Sequence, residues 1–328
     1  MSETKRRPRT RLIIAAVCLA AIVAADTVVW AVVCQRLDDA ARATLASAGW
    51  ALSADPTLWR GWPLAAETVL PHATLRSGPD IIPPLAWTAG TQTLRLSALS
   101  PTRLTVSSAG PQALTVADAP PVPFTSRSLV AAIGLSERDS VRLLATDLDI
   151  DAPAGPIHIA SAQLDPQRGG ASLTLATLSL PGAGGRPIQP PIDTLRLTTR
   201  LSTPVVPMPT PIESAQRWRA SNGRLDVNDV VLNWGPLAAT GQATLSLDPE
   251  LQPVLTGRIS ATGLLAALDR LVETGAVTAS GAMAARGVLA ILSAPTGGGP
   301  VSLPVQLQSG VVSVARIPLL RLAPIQWQ

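Results

Sequence analysis

A chain of 328 residues that is 47% apolar, 15% charged and 3% aromatic carries enough nonpolar surface for a sizeable core, which excludes disorder as its global description. The whole net charge of +4 resides in the N-terminal tail, where Lys5, Arg6, Arg7, Arg9 and Arg11 stand against Glu3; the other 21 arginines are balanced by 21 acids. A basic tail before a neutral body is a topology signal rather than a phosphate-binding face, so nucleic acid is not an expected partner.

Residues 1–11 read as a cytoplasmic tail and residues 12–34 as a transmembrane helix. Leu12 to Cys34 is apolar apart from Asp26, and about 20 such residues cross the hydrocarbon layer. The basic residues before it should stay cytoplasmic, which places the rest of the chain across the membrane. Val23-Ala24-Ala25 offers a signal-peptidase-like site, but the apolar run continues from Thr27 to Val33, which favours an uncleaved anchor. An ionised Asp26 costs about 2.5–3.5 kcal/mol at mid-bilayer. It is either a contact for a partner helix or a cost that so apolar a helix carries unaided. Cys18 and Cys34 are the only cysteines, so the exported body has no disulfide framework and no Cys-based metal site or nucleophile.

Residues 35–49 are an Ala-rich helical stalk ended by Gly49. From about Gln92 the period becomes two, with polar residues between Leu94 and Leu96, Leu104 and Val106, Leu148 and Ile150, Leu173 and Leu175, Leu195 and Leu197, Leu245 and Leu247, and Val305 and Leu307. Such alternation predicts strands with one buried and one wet face. Gly110-Pro111, Pro153 to Pro156, Gly169-Gly170 and Gly310 read as turns, and short connections favour antiparallel meanders over βαβ units. Helices are expected at Ser126 to Leu135, at Thr262 to Glu273 with Thr262 as N-cap and Gly275 beyond the end, and at Ala282 to Ser293. Pro181 to Pro191 and Pro204 to Pro211 suggest a seam between two β-rich halves, residues 50–203 and 204–328. The expected fold class is therefore mainly β, an antiparallel curved sheet or two β-rich halves with a few short helices, after one transmembrane helix.

Catalytic devices are scarce. Lys5 is the only lysine and lies in the tail, which removes P-loop, Ser-Lys and Schiff-base chemistry from the body. His72 and His158 fall in no H-E-x-x-H pattern, and there is no G-x-S-x-G elbow. Asp147, Asp149 and Asp151 fail the calcium-loop pattern, because its glycine and glutamate positions hold Ala152 and His158; on a strand their spacing suits a solvated face. Arg142, Arg196, Arg200 and Arg258 read in the same way. No catalytic residue, metal or cofactor is expected, and the chain is read as a non-enzyme. Eight tryptophans are the exception in an aromatic-poor chain, and most are expected to fill the core. Trp59 and Trp62, flanking Gly61 and followed by Pro63 close to the membrane, are the candidate membrane-proximal or partner contacts, with Asp26.

The sequence Trp59-Arg60-Gly61-Trp62-Pro63-Leu64 after an anchor and stalk, then Gly223-Arg224-Leu225-Asp226-Val227, Asn233-Trp234-Gly235-Pro236-Leu237, and Leu303 to Gly310, resembles the DUF2125 proteins of alphaproteobacterial envelopes over nearly the whole chain. That family assigns no site residues. The β cadence is more weakly similar to the AsmA-type envelope proteins, which are associated with outer-membrane maintenance and lipid movement. The second resemblance implies binding or guiding of lipid or another apolar envelope component along an apolar β surface. The alternative is a scaffold or assembly factor for an inner-membrane protein complex, and a periplasmic hydrolase built on His72 or His158 ranks third. Alternation alone leaves an open groove and a closed core equally admissible.

Overall fold

The computed structural model describes residues 8–78, 81, 84–117, 119–135, 141–153, 155–167, 169–182, 187–205, 208, 210–273, 282–283, 285–287, 289–290, 299–315, 317–325 and 327, with backbone alone at 8–16, 211 and 317–320. The expected tail residues Lys5, Arg6 and Arg7, the helix end at Gly275 and much of Ala282 to Ser293 fall outside these; the described residues between 282 and 290 are helical.

One helix, α1 (Pro8–Ser47), combines the apolar stretch and the stalk without a break. From Val17 onward it is long and apolar enough to cross a membrane, and few of its side chains are buried. Gly49, at φ +77°, reverses the chain as a left-handed residue after a helix end does. Among the described residues, 16 strands form one antiparallel sheet, in sequence order apart from β2: β1 (Trp50–Ser53), β2 (Leu58–Arg60), β3 (Ala65–Ser77), β4 (Leu85–Ser97), β5 (Ser100–Val116), β6 (Val122–Gly134), β7 (Val141–Ala152), β8 (Gly155–Gln167), β9 (Gly170–Ser179), β10 (Ile192–Leu201), β11 (Leu225–Trp234), β12 (Leu237–Leu247), β13 (Pro253–Thr262), β14 (Val301–Gln308), β15 (Val311–Val314) and β16 (Ile317–Arg321). β1 and β2 share the outer edge of β3, and β16 forms the other edge. α2 (Pro211–Ala220) links β10 to β11, and α3 (Leu264–Glu273) follows β13.

β10 and β11, on either side of residues 203 and 204, are paired from Leu201 opposite Leu225 to Thr194 opposite Asn233, with a register shift between Thr198 and Thr199. Three local expectations fail. Ser126 to Gly134 lies on strand β6 rather than a helix, because β5 pairs Leu129 to Gly134 and β7 pairs most of Ser126 to Ile133, and Val130 and Ile133 suit a pleated surface. Gly110-Pro111 lies inside β5 rather than at a turn: the ladders to β4 and β6 shift register there, and a Cβ on the facing Gly90 would stand 3.1 Å from the Ala109 carbonyl oxygen. Thr262 ends β13 instead of capping α3. Gly263, at φ +73°, makes the corner and accepts the first helical bond from the Ala267 N–H at 2.9 Å.

A transverse line of irregular residues crosses the first eight long strands. The ladders skip His72 opposite Gly90, Arg127 opposite Asp147, Asp147 opposite Ala160, Ala160 opposite Thr177, and Thr177 opposite Asp193. His72, Gly110, Asp147 and Thr177, one on each alternate strand, have φ of 46°, 82°, 47° and 50°. A left-handed residue breaks the pleat and reverses its alternation. Burial on β7 follows that reversal: Val141, Leu143 and Ala145 turn inward before Asp147, and Leu148 and Ile150 after it. The apolar residues change parity at the same point, so one face stays nonpolar from end to end.

Among the described residues no second sheet covers that face. Inner-face leucines such as Leu129, Leu143, Leu175 and Leu195 are only half-buried. The fully buried cluster is small, Leu70, Ala73 and Leu94, and it sits where Ala41 of the stalk packs onto β3 with Leu52, Leu104 and Val106.

Candidate functional site

Two features stand out: the junction where α1 meets the sheet, and the open inner face. At the junction the last apolar turns of α1 are fastened to the start of β3. Trp30 donates its indole N–H to the Ala65 carbonyl at 2.9 Å, and the Thr68 hydroxyl, with no exposure at all, donates to the Cys34 carbonyl at 3.2 Å. Trp59 stands edge-on to Trp30, with ring centroids 6.4 Å apart. Gly61, at φ +89°, is forced by space as well as by conformation, since a Cβ there would lie 2.8 Å from the Ala65 carbonyl oxygen. A cis Trp62–Pro63 bond completes the turn.

Of the residues singled out from sequence, Trp59, Gly61, Trp62 and Pro63 therefore meet at one place. Trp59 and Trp62 are 44% and 45% exposed, so they do not fill a core; Leu58, Leu64 and, in the β4–β5 turn, Leu99 are exposed beside them. The Ala98 N–H bonds the Leu64 carbonyl, which ties that turn to the same end of the sheet. Asp26 lies lower on α1, exposed and away from this cluster. The exposed apolar belt thus lies where the nonpolar stretch of α1 gives out.

Two of the cavities among the described residues lie on the inner face. The larger, about 420 Å³, is lined by Trp50, Leu75, Trp87, Leu114, Phe124 and Leu143 among others. Those residues come from β1 through β7, which would span about 24 Å if the sheet were flat; one cavity touches both ends because the sheet curves into a trough. Leu114 remains 41% exposed within it. The smaller, about 180 Å³, lies among Leu178, Ile192, Leu232 and Trp234, with Leu271 of α3 leaning over it. Both linings are nonpolar apart from Ser108. Sequence reasoning missed Trp50 and Trp87 as groove residues. Their signal was their place in the period-two pattern, but the choice between open and closed lay in the curvature.

The outer face carries the charge. Arg127 pairs with Asp147 at 3.0 Å and Arg142 with Asp165 at 2.6 Å, while Arg196, Arg200 and Arg258 are exposed. A hydrogen bond from Gln163 at 2.5 Å, seconded by Arg142, holds the Asp165 carboxyl below the usual range. His72 bonds Asp55 and His158 bonds Asp149, each through Nδ1 at 2.7 Å. The register sets Ser179 opposite His158, so Asp149, His158 and Ser179 form a row on three strands. Among the described residues no hydrogen bond joins Ser179 to His158, and the row lies on the exposed face, outside both cavities. No group of three metal-ligating side chains occurs among the described residues.

The sequence model of the family described as "Uncharacterized protein conserved in bacteria (DUF2125)" matches residues 30–323, which takes in the docked end of α1 and every strand. The chain belongs to the DUF2125 family. No curated protein and no solved structure matches it. The AsmA-type likeness therefore rests on the cadence of the strands alone. In this DUF2125 protein the matched region begins at Trp30, the residue that fastens the helix to the sheet.

Proposed function

We propose that this DUF2125 protein is a non-enzymatic, membrane-anchored trough that binds or guides the acyl part of a lipid or another apolar envelope molecule, with α1 in the bacterial inner membrane and the sheet in the periplasm. The observation that carries the reading is an apolar inner face with an open, Leu- and Trp-lined cavity across β1 to β7. On this reading about 20 residues of α1 fill the hydrocarbon layer, and Trp59, Trp62, Leu64 and Leu99 sit in the headgroup layer, where amphipathic rings are favoured. The strands then rise from the membrane with their nonpolar face accessible from its surface. The Asp149-His158-Ser179 row does not support a hydrolase, since it has no linked nucleophile and no cleft.

The test uses distance. Trp50 and Trp87 lie beyond the 17 residues of α1 that separate Trp30 from Ser47, about 25 Å of helix. Full-length protein with the other six tryptophans replaced by Phe is placed in nanodiscs containing lipids brominated on their acyl chains. Marked quenching relative to unbrominated discs is expected, because bromine reaches these rings only if a chain enters the trough. Fluorescence indifferent to bromine would reject the reading. The scaffold alternative draws on exposed Asp26: a photo-crosslinker at that position capturing a partner helix, with no quenching in the trough, would favour it.

A further inference from the structure

Antiparallel order sets one rim of the sheet beside the anchor. β3 starts next to Trp30, so the β4–β5 turn and the ends of β10 and β11 that α2 joins fall on that rim too. The corner from Arg200 to Arg224 carries four arginines, Arg200, Arg217, Arg219 and Arg224, against one acid, Glu213. All four are exposed, and among the described residues none of them forms an ion pair. Asp226 lies opposite Arg200 in the ladder, but its carboxylate accepts from the Thr244 hydroxyl at 3.0 Å.

Local bonds hold this corner in shape. The Ser202 N–H donates to the Arg224 carbonyl and the Arg224 N–H to the Ser202 hydroxyl, both at 2.8 Å, which adds a pair to the end of the ladder and sets Arg224 two residues along from Arg200 on the same face. Thr210 caps α2 by accepting from the Glu213 N–H. The Trp218 indole donates to the Thr203 carbonyl at 3.2 Å and lies against Gly223, where a Cβ would strike the ring. With Ala215 and Trp218 buried, Ile212, Gln216 and Arg219, at i, i+4 and i+7, share a face turned to solvent, and Arg217 is exposed beside them. Val205 and Ile212 add exposed apolar surface. The junction has the same makeup, since Arg60 and Arg103 are exposed near Trp59, Trp62, Leu64 and Leu99. The opposite rim differs: its strand ends expose Asp149, Asp151 and Asp193 beside Arg76.

We propose that the α2 corner is a second membrane contact, in which Arg200, Arg217, Arg219 and Arg224 dock on anionic phospholipid headgroups of the leaflet from which α1 emerges. This rests on the reading that α1 is embedded in the membrane. Guanidinium forks match phosphate oxygens, and exposed arginines interleaved with apolar side chains suit the boundary between headgroups and acyl chains. One helix leaves the body free to turn about the anchor axis. A contact at α2, seven strand spacings from β3 or about 34 Å on a flat sheet, fixes that rotation and lays the trough along the membrane surface.

The experiment follows hydrogen exchange of the full-length protein in two nanodiscs, one of phosphatidylcholine alone and one with about 30 mol% phosphatidylglycerol. Amides of residues 211–224 should exchange about fivefold more slowly in the anionic disc. Salt at about 0.5 M should remove the difference in the wild type. So should the combined Arg217→Gln, Arg219→Gln and Arg224→Gln variant, with protection of β11 and β12 unchanged. Equal exchange in the two discs, a difference indifferent to salt, or one retained by the variant would overturn the proposal. Bromine quenching of Trp50 and Trp87 requires neither anionic lipid nor these arginines. Quenching that persists when α2 shows no response would leave the trough standing and overturn the α2 contact alone; an anionic-lipid response without quenching would support the contact and reject the trough.

Discussion

Truncating two leucines separates an open inner face from a closed one. Leu70 is 2% exposed and lies in the cluster beneath the stalk, whereas Leu143 is half-buried on the wall of the larger cavity. Replacing a fully buried Leu by Ala loses its transfer free energy and leaves a hole, costing about 2–5 kcal/mol; for Leu70, tightly enclosed, about 3–4 kcal/mol is expected. Leu143 forfeits roughly half its transfer term, and its removal widens a space already open to solvent, so the hole adds little and the cost should be about 1 kcal/mol. Urea unfolding of the full chain in nanodiscs, followed by intrinsic fluorescence, measures both. The ratio between the sites matters more than either value, since the unfolded reference is shared. Equal losses near 3 kcal/mol would mean that Leu143 sits in a closed core, and the trough would be refuted.

The other predictions address separate parts of the molecule. Gly263→Ala should cost about 2–4 kcal/mol in the same urea assay, because the position needs φ +73° and the new Cβ would meet the Pro236 carbonyl oxygen; a neutral outcome would show that the β13–α3 corner is misplaced. Thr68→Val keeps the shape but removes the donor to the Cys34 carbonyl, so hydrogen exchange at residues 34–38 should accelerate severalfold, and unchanged protection would deny that this bond fastens the helix. The depressed Asp165 carboxyl contributes stability that is complete above its unfolded value of about 3.9 and disappears as pH falls through the lower folded one. Gln163→Leu, removing the largest single cause of the depression, should move the Asp165 titration measured by NMR upward; an unmoved titration would contradict the assignment of cause.

Much of the fold could be read from the spacing of residues. Every period-two pair marked as strand lies on a strand, because each strand has one wet face and one nonpolar one and its partners are its sequence neighbours. The failures share a cause. Ser126 to Leu135 and Gly110-Pro111 look local, but their conformations are imposed by strands on either side. Where parity changes, as between Ala145 and Leu148, the sequence does carry the trace of the left-handed line; without the ladders it reads as two unrelated strands. The cluster of Trp59, Gly61, Trp62 and Pro63 was visible from its crowding near the anchor. The larger cavity was not, because Trp50, Trp87 and Leu143 are far apart along the chain and come together only through curvature and register.

The most direct measurement of the central claim is photo-crosslinking in living cells from single positions on the two faces. A benzophenone side chain at Leu143 or Leu197, both on the inner face, should form adducts with lipid acyl chains, while one at Arg258 on the outer face should form none. Absence of lipid adducts from the inner positions, or equal adducts from both faces, would contradict an apolar trough filled from the membrane.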